Sequence, residues 1–358
     1  MATELPEVLT VIAINPLDQA TADRIEAVAP GRVKVHRVWA DFQPELNEDW
    51  PEETMKRWGT SEPPNLSREH LEALISEADV AILGVPWLKT AATRMPKLRW
   101  AHLPHAGVSN LQESAWWAGP FTLTSARGHT SSIPIAESAM AGAFMLARRL
   151  DVAVRQTEAR TLDAAAYRGH MSVLHGKTMG IIGLGGIGSE VARIARGVGM
   201  RVIATRYTAT ERTTNEDGVD VMPHSETDSL LAESDFVAVC APWTPETHQF
   251  LNEDAFSVTK PGGFLINISR GELIDERALI HALKSGRLAG AYIDVWWQDT
   301  DHPPSDELIN APNLIMTPHV SSGADGDYRG GIDLFCENLE RLLRGDELIN
   351  AVDFQRGY

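Results

Sequence analysis

The stretch from Gly180 to Arg206, GIIGLGGIGSEVARIARGVGMRVIATR, constrains the fold more than any other part of the chain. A short apolar run ends in a glycine-rich turn, and beyond the turn the apolar residues recur at helical spacing. A second run rich in β-branched residues, 201–204, follows a glycine stop signal. The order predicts a strand, a turn, a helix and a second strand, which is a β-α-β unit of about thirty residues.

The glycines of this turn have separate mechanical roles. Gly183 allows the tight turn, Gly185 lets the backbone approach a pyrophosphate, and Gly188 lets the helix pack closely on the strand. The N-terminus of the helix offers free N–H groups to the anion. The pattern predicts a dinucleotide site, and a glycine-rich turn without a ligand is the alternative that a short motif leaves open.

The composition limits the possible partners. A chain of 358 residues fits two domains of ordinary size. It is 43% hydrophobic and 23% charged, and no run approaches the roughly twenty apolar residues of a membrane span. A formal net charge of −17 opposes nonspecific attraction to nucleic acid or anionic lipid. We therefore expect neither a nucleic acid nor a membrane partner, and a small anionic substrate would need local cations to bind.

The N-terminus and the cysteines indicate the compartment. The N-terminal residues lack the basic region of a signal peptide and enter an apolar strand directly. The two cysteines, Cys240 and Cys336, lie far apart and form no C-x-x-C motif, which is typical of a reducing compartment without disulfides or structural zinc. We expect a cytoplasmic protein that holds no metal.

Short apolar runs alternate with amphipathic stretches along the rest of the chain, which predicts an α/β fold with doubly wound parallel sheets. The N-terminal part reads as an α/β unit of its own. Its acidic, proline-rich segment 41–65 is interpreted as a surface excursion. Further strands are predicted after Arg206, at 236–240, 263–268, 289–295 and 314–317.

The ends of these later strands carry the chemistry, because ligands in such sheets lie outside the carboxyl ends of the strands. Arg270 can grip a carboxylate with two parallel hydrogen bonds, and His319 can hand a proton to a carbonyl oxygen. An acidic residue in the loop before His319, Asp299, is a candidate to orient the imidazole and favour its charged form. Over a nicotinamide site, this set suits the reduction of a 2-keto acid.

The residue at the end of the second cofactor strand indicates which cofactor is preferred. NAD sites place an Asp or Glu there for the ribose 2′-OH, whereas this chain has Arg206. A 2′-phosphate would gain charge-assisted hydrogen bonds from that guanidinium. The prediction is NADP(H) in preference to NAD(H). The alternative is a solvated arginine that stacks on adenine, with both cofactors accepted.

Several motifs from Pro96 onward occur in the order seen in a known family: PKLRW, AGVSNL, IAESAMAGAFMLARRL, GIIGLGGIG, APWTPETHQF, SRGELID, GAYIDVW and TPHVSSG. On these motifs the chain resembles the D-isomer-specific 2-hydroxyacid dehydrogenases, which also include formate and phosphite dehydrogenases. The first 95 residues match in pattern only. The resemblance implies two Rossmann-like domains. These are a discontinuous substrate domain, 1–147 with 323–358, and an inserted dinucleotide-binding domain, 148–322.

The resemblance also implies residue roles and a homodimeric assembly. Arg270 would bind substrate, His319 would be the acid/base, and Asp294 would contact the nicotinamide amide. Backbone amides of Ala106 and Gly107 would help hold the substrate carboxylate. The remaining cofactor contacts predicted are Gly183, Gly185, Gly186, Ile187, Gly188, Arg206, Ala241, Pro242, Thr247, Ile268 and Ser269.

The implied activity is NAD(P)H-dependent reduction of a small 2-keto acid to a D-2-hydroxy acid, as in glyoxylate and hydroxypyruvate reductases. One departure lies five positions after Asp294, where the family usually has Glu, or Gln in formate dehydrogenases, followed by proline. Here Asp299 is followed by threonine, and Gln298 lies beside it, so either residue can be the partner of the histidine. Two alternatives remain open: a non-catalytic, cofactor-binding regulatory member, and oxidation like that of formate or phosphite dehydrogenases.

Overall fold

The computed structural model describes residues 5–59, 62–129, 132–299, 302–325 and 331–357. The chain forms two compact units, one of Met1–Thr130 with Arg329–Tyr358 and the other of Ser131–Tyr328. Each unit is built on a mostly parallel sheet with helices. The predicted α/β class with two Rossmann-like units is confirmed.

The first unit contains a five-stranded, fully parallel sheet of order β2-β1-β3-β4-β5. The strand β1 (Leu9–Ile14) is apolar at nearly every position, as expected for a central parallel strand that is covered on both faces. The other elements are α1 Gln19–Glu26, β2 Val33–Arg37, α2 Gln43–Asp49, α3 Glu52–Trp58, α4 Arg68–Ser76, β3 Val80–Leu83, β4 Trp100–Leu103, β5 Thr122–Ser125 and the C-terminal helix Gly331–Arg344.

The segment 41–65 is not a surface excursion, so that interpretation was wrong. It forms α2 and α3, and the side chains of Phe42, Leu46 and Trp50 are buried in the core of the first unit. The Trp50 ring meets that of Trp87 edge-on at 5.0 Å, and its Nε1–H donates to the Trp87 carbonyl at 2.7 Å. Phe42, Leu46 and Trp50 recur every four residues, a helical period that the acidic composition of the segment obscured.

The second unit contains an eight-stranded sheet of order β13-β12-β11-β10-β6-β7-β9-β8, in which only the β8–β9 pair is antiparallel. Its strands are β6 Thr178–Ile182, β7 Arg201–Arg206, β8 Thr213–Thr214, β9 Asp220–Pro223, β10 Phe236–Val239, β11 Gly263–Asn267, β12 Leu288–Ile293 and β13 Leu314–Met316. Its helices are α5 Ser132–Arg148, α6 Leu150–Glu158, α7 Gly186–Gly197, α8 Thr227–Glu233, α9 Glu253–Val258, α10 Glu276–Lys284 and α11 Asp306–Ile309.

The helix α5 belongs to the second unit, because it packs against α7, β11 and β12. The approach is close: a Cβ atom added at Gly142 would lie 2.4 Å from the ring of Tyr292 on β12. The predicted domain limits at 147/148 and 322/323 therefore differ from the limits of the compact units. Which unit binds substrate and which binds cofactor stays a prediction.

A buried histidine, His102 on β4, connects the two chain segments of the first unit. Its Nε2 lies 3.1 Å from the Gly331 carbonyl, and its Nδ1 lies 2.8 Å from the Thr124 hydroxyl, which accepts the Trp100 indole N–H. A carbonyl only accepts, so Nε2 carries the proton and Nδ1 accepts from the hydroxyl. The imidazole is neutral and fully hydrogen-bonded, and burial lowers the pKa of His102 to about 3.

This burial predicts a loss of stability in acid. Between about pH 6.5 and about pH 3, His102 binds a proton in the unfolded state but stays neutral in the folded state. The residue should therefore remove up to about 1.4 kcal/mol of unfolding free energy for each pH unit in that window. Urea unfolding between pH 4.5 and pH 7 measures this slope.

The comparison variant is His102→Gln, which should be less stable at pH 7 by about 1–3 kcal/mol because buried partners lose their hydrogen bonds. Its stability should also fall less steeply below pH 6.5. The exposed His281 provides the control, since His281→Gln should leave both properties unchanged. A His102→Gln slope equal to that of the wild type would contradict the assignment.

Candidate active site

The candidate site lies along one edge of the eight-stranded sheet, where the carboxyl ends of its parallel strands meet. Backbone bonding continues for one residue past the strands: the Asp294 N–H donates to the Asn267 carbonyl at 2.9 Å, and the Thr317 N–H donates to the Ile293 carbonyl at 3.1 Å. These hydrogen bonds therefore fix where the loops after β11, β12 and β13 begin at this edge of the sheet. The chain runs from β6 to β7 on one side and places β10 on the other, which is the switch point where such sheets bind ligands.

The glycine turn after β6 has the geometry that a dinucleotide needs. Gly183 has a φ of +97°, and a Cβ there would lie 2.7 Å from the Ala241 backbone nitrogen. A Cβ at Gly188 would lie 2.3 Å from the Gly183 carbonyl oxygen, so only glycine lets α7 come this close to the strand. A Cβ at Gly185 would meet no atom within 4 Å. The backbone is thus exposed at Gly185, where a pyrophosphate would approach, and tightly packed at Gly183 and Gly188.

The N-terminus of α7 adds to this fit. The N-cap residue, Gly185, has no side chain to cap the helix, and within the described residues no side chain bonds to the first-turn N–H groups at Gly186, Ile187 and Gly188. Such groups, together with the helix dipole, favour an anion. The residues present therefore fit a nicotinamide dinucleotide, as the sequence predicts.

Other predicted cofactor contacts line the loops after β10 and β11. The Ser269 hydroxyl donates to the Ala241 carbonyl and joins the two loops. The Thr247 hydroxyl donates to the Pro242 carbonyl at 2.8 Å and folds the β10 loop back on itself. Ile268 is buried directly after β11. Contact of these residues with a cofactor stays a prediction.

Arg206 ends β7, with an exposed side chain, next to Pro223 in the sheet register. Arg212, a second arginine close in sequence, is held by acidic partners: its Nε lies 2.6 Å from a Glu226 oxygen and its Nη1 lies 3.6 Å from a Glu233 oxygen. Because these ion pairs already engage Arg212, Arg206 is the better candidate for a phosphate ligand.

Arg270 follows β11 and is held by the buried side chain of Asn267. The Asn267 Nδ2 donates to the Arg270 carbonyl at 2.9 Å, and its Oδ1 accepts the Ser269 N–H at 3.1 Å. One guanidinium nitrogen of Arg270, Nη1, donates to the Ser269 carbonyl at 2.8 Å. Within the described residues its Nε is buried without a hydrogen-bond partner.

His319 lies in a tight turn after β13, with a φ of +53°, a left-handed conformation that a non-glycine residue rarely adopts. Its N–H donates to the Asp294 carbonyl at 2.7 Å. The Asp294 carboxylate, which has no exposed surface, accepts the Thr317 hydroxyl at 2.5 Å and the N–H groups of Val320 and Ser321 at 3.0 Å each. Asp294 therefore fixes the turn that presents His319.

Sequence reasoning missed part of this network. The Tyr292 hydroxyl lies 2.8 Å from the Thr317 hydroxyl and 3.3 Å from that of Ser138 on α5. A chain of polar groups thus connects α5 with Asp294. The only signal for this network in the sequence is that an aspartate, Asp294, follows a buried strand. The resemblance assigns Asp294 to the nicotinamide amide, and that role stays a prediction.

The structure brings Asp299 and His319 together: Oδ2 of Asp299 and Nδ1 of His319 lie 2.8 Å apart. The Asp299 side chain is 9% exposed and that of His319 is 27% exposed. Gln298, the other candidate partner, instead donates its backbone N–H to the Glu272 carboxylate at 3.1 Å. The geometry favours Asp299 as the partner, since its atoms are in contact with the imidazole.

This contact is close but not aligned as a hydrogen bond. Asp299 Oδ2, His319 Nδ1 and Arg270 Nε are all buried side-chain atoms that lack a well-formed hydrogen bond within the described residues. Unsatisfied buried polar atoms are uncommon and tend to occur at functional sites. Three such atoms belong to the residues predicted to be catalytic, and others, such as Asn15 Oδ1 and Trp87 Nε1, lie elsewhere in the described residues.

Ala106 and Gly107 lie in the turn after β4, in the first unit, and both are partly buried. Their predicted contact with a substrate carboxylate stays a prediction.

A cleft of about 410 Å³ lies beside the His319 turn within the second unit. Its walls are the N-terminal half of α5 and the segment after His319, and it is partly polar. The lining residues are Ile133, Pro134, Glu137, Ser138, Ala141, Val320, Ser321, Gly323, Ala324 and Asp325.

Two features are absent from the described part of the chain. No helix there has the length and apolar character needed to cross a bilayer. No group of three or more His, Cys, Asp or Glu side chains is placed to hold a metal ion there.

Comparison with known families finds a match over residues 140–321 to the model described as D-isomer specific 2-hydroxyacid dehydrogenase, NAD binding domain. Among curated proteins, a glyoxylate reductase of Thermococcus onnurineus is 37% identical over 173 residues, which are 48% of this chain and 50% of that protein. The chain thus spans about half the length of the curated relatives it matches.

Solved structures extend the similarity of fold to nearly the whole chain. A D-isomer specific 2-hydroxyacid dehydrogenase family protein from Aeromonas salmonicida superposes with a TM-score of 0.74 at 25% identity, over 97% of this chain and 99% of that one. An NADPH-dependent glyoxylate/hydroxypyruvate reductase from Sinorhizobium meliloti, in complex with NADP and sulfate, gives a TM-score of 0.72 at 22% identity, over 98% and 100%. At this identity the second likeness concerns the fold alone.

The glycine turn predicts opposite effects for two alanine substitutions. Gly185→Ala should fold normally, because its Cβ meets open space, yet bind NADPH about tenfold or more weakly, because the methyl group enters the pyrophosphate path. Gly188→Ala should lower the unfolding free energy by about 1–3 kcal/mol, because its Cβ collides with backbone. Calorimetric titration with NADPH and thermal unfolding measure the two effects.

Each variant is the control for the other. Unchanged NADPH affinity in Gly185→Ala would remove the turn from the cofactor site.

Proposed function

Because the chain belongs to the D-isomer-specific 2-hydroxyacid dehydrogenase family, we propose that it reduces a small 2-keto acid to a D-2-hydroxy acid. The proposed substrates are of the glyoxylate and hydroxypyruvate class. This proposal is supported by the arrangement of Arg270, Asp299 and His319 at the edge where such sheets bind ligands.

The chemistry divides among these residues. A bound nicotinamide dinucleotide supplies the hydride in this class of reaction. Arg270 grips the substrate carboxylate, for which its planar guanidinium is suited. His319 donates a proton to the carbonyl oxygen as that oxygen gains negative charge. Asp299, in contact with Nδ1, fixes the imidazole so that Nε2 faces the substrate.

The contact between Asp299 and His319 is the observation that carries the proposal. A carboxylate against one ring nitrogen leaves the other free for acid/base work, the arrangement used by catalytic histidines. A histidine with a structural role would have both nitrogens satisfied, as His102 has. His319 does not, and its side chain is partly exposed.

A steady-state assay tests this function against the alternatives. Oxidation of NADPH and NADH is followed with glyoxylate, hydroxypyruvate, pyruvate and phenylpyruvate, and the reverse direction with formate and phosphite. Turnover of at least one 2-keto acid supports the proposal. Activity with formate or phosphite alone, or cofactor binding without turnover of any substrate, would replace it with one of the alternatives.

The proposed cofactor is NADP(H) in preference to NAD(H). Arg206 is the supporting residue, because it is exposed at the end of β7 where a ribose 2′-phosphate would lie. Arg212 is a weaker candidate, because Glu226 and Glu233 already engage its guanidinium.

A homodimer is proposed as the assembly. Half of the large apolar side chains that are exposed in the described residues fall within 133–173, on and after α5. Exposed apolar side chains grouped on one surface are typical of a site that another protein covers, and this segment is the part of the second unit proposed to form such a surface. The exposed residues are Ile133, Phe144, Leu150, Val154, Leu162, Met171 and Val173.

Replacing the proton donor predicts a large effect on turnover. His319→Asn should lower kcat for 2-keto acid reduction by about two to four orders of magnitude, the usual contribution of a general acid. The dissociation constant for NADPH should stay within about threefold of the wild-type value, a difference of less than 1 kcal/mol in binding free energy. Stopped-flow turnover and calorimetric titration measure the two quantities, and a kcat within a few-fold of wild type would exclude His319 as the donor.

The two arginines give a matched test of cofactor preference. Arg206→Ala should lower the ratio of kcat/KM for NADPH to that for NADH by about ten- to a hundredfold, because the 2′-phosphate loses a charge-assisted hydrogen bond. Arg212→Ala removes the same charge nearby and should leave the ratio within a few-fold. A wild-type preference for NADH, or equal effects of the two substitutions, would contradict the proposal.

A further inference from the structure

Two loops of the site meet backbone to backbone. One is the turn that follows Arg270, and the other is the loop after β12 that ends at Asp299. A Cβ atom at Gly271 would lie 2.0 Å from the carbonyl carbon of Trp296, so only glycine permits this approach. The loop that carries Asp299 is therefore seated directly on the loop that carries Arg270.

A buried carboxyl group, that of Glu272, fastens this contact. The residue is 9% exposed, and its Oε1 accepts the backbone N–H of Gln298 at 3.1 Å. Gln298 has a φ of +53°, a left-handed conformation that costs free energy in a residue with a side chain. The hydrogen bond from Glu272 thus acts at the strained residue immediately before Asp299.

Within the loop, the Asp299 N–H donates to the Trp296 carbonyl at 3.2 Å and the His302 N–H donates to the Gln298 carbonyl at 2.8 Å. These bonds close the loop on itself. Among the described residues, Glu272 is the residue outside this loop whose side chain bonds to the Gln298 backbone.

We propose that Glu272 is a positioning residue that holds the Gln298 backbone so that the short Asp299 side chain reaches His319. This inference rests on the proposed function only for its effect on turnover. Its geometric content, that Glu272 determines the contact between Asp299 and His319, concerns the protein without any ligand.

Reach and charge are separable here. Burial raises the pKa of Glu272 above its usual value, and the Asp299 carboxylate adds to the rise, while the Gln298 N–H and Arg270 oppose it. The role proposed needs an acceptor oxygen at this reach and not a negative charge. Glu272→Gln keeps the reach and removes the charge, whereas Glu272→Asp keeps the charge and withdraws the oxygen by one methylene.

The readout is the titration of the His319 imidazole, followed by NMR of the full chain labelled with ¹⁵N-histidine and without cofactor. His319→Gln assigns the resonance, and Asp299→Asn gives the effect of losing the partner charge. The charged and titratable groups near His319 in the described residues are Asp294, Asp299, Arg270 and Glu272, with Glu137 and Asp325 in the adjoining cleft.

Positioning predicts that Glu272→Asp lowers the His319 titration midpoint by about half a pH unit or more, in the direction of Asp299→Asn, because the imidazolium loses its carboxylate contact. Glu272→Gln should stay near the wild-type midpoint. The control is Glu253→Asp, an exposed glutamate 3.3 Å from His281, which should move only the His281 resonance.

Two results would overturn the inference: an unchanged midpoint in Glu272→Asp, or a shift in Glu272→Gln as large as that in Glu272→Asp, which would indicate charge in place of position. If Glu272→Asp alone does not fold, the same substitution is made in a Gln298→Gly background, because glycine adopts the left-handed conformation at this position without strain. Gln298→Gly relieves the backbone strain, so Glu272→Asp in a Gln298→Gly background should recover the wild-type midpoint, and failure to recover it counts against the inference.

Activity gives an independent readout. In an active protein, Glu272→Asp should lower kcat about tenfold with little change in KM, because only the orientation of the proton donor is lost. Glu272→Gln should retain kcat within about threefold of the wild-type value, a difference of less than 1 kcal/mol in activation free energy. A wild type that reduces no 2-keto acid refutes the proposed function alone, since the imidazole titration still decides the role of Glu272.

Discussion

The buried carboxylate of Asp294 is the interaction on which the candidate site depends. A carboxylate without exposed surface is costly unless donors surround it, and here a hydroxyl and two backbone N–H groups do so. Because those N–H groups belong to the residues after His319, satisfying the charge also bends the chain into the left-handed turn. The hydrogen bonds that satisfy the buried carboxylate therefore also hold the left-handed turn in place.

The position of Asp294 follows from the parallel sheet. Adjacent parallel strands end at the same edge, so the residues after β11, β12 and β13 lie side by side although they are distant in sequence. Arg270, Asp294 and His319 then need only short loops to face one region. The loop after β12 is longer and is seated on Gly271, which brings Asp299 back to the imidazole.

Much of this could be predicted from sequence, because the glycine turn, Arg270 and His319 each lie in a local pattern that ends a recognisable strand. The supporting contacts could not. Glu272 meets Gln298, and Tyr292 meets Thr317, across about twenty-five residues of intervening chain, so no local spacing indicates them. The contact of His319 with Asp299 depends on how the loop after β12 folds, which the sequence does not reveal.

Composition misled the sequence analysis where periodicity was informative. Segment 41–65 is acidic and rich in proline, yet Phe42, Leu46 and Trp50 form one buried helical face. The helix α5 shows the reverse case: its small residues were recognised, but their purpose, close packing of Gly142 on Tyr292, became visible only in three dimensions.

The discontinuity of the first unit has a consequence for protein synthesis. Phe335 stacks on Trp100 at 4.6 Å, and Gly331 supplies the acceptor for His102, so the sheet of the first unit is covered by residues translated after the second unit. The second unit is one continuous segment and leaves the ribosome complete while the first still lacks its final helix. During translation the apolar face around Trp100 therefore stays uncovered, and a chaperone that shields exposed apolar surface would act on the segment of the first unit that is made before the second unit.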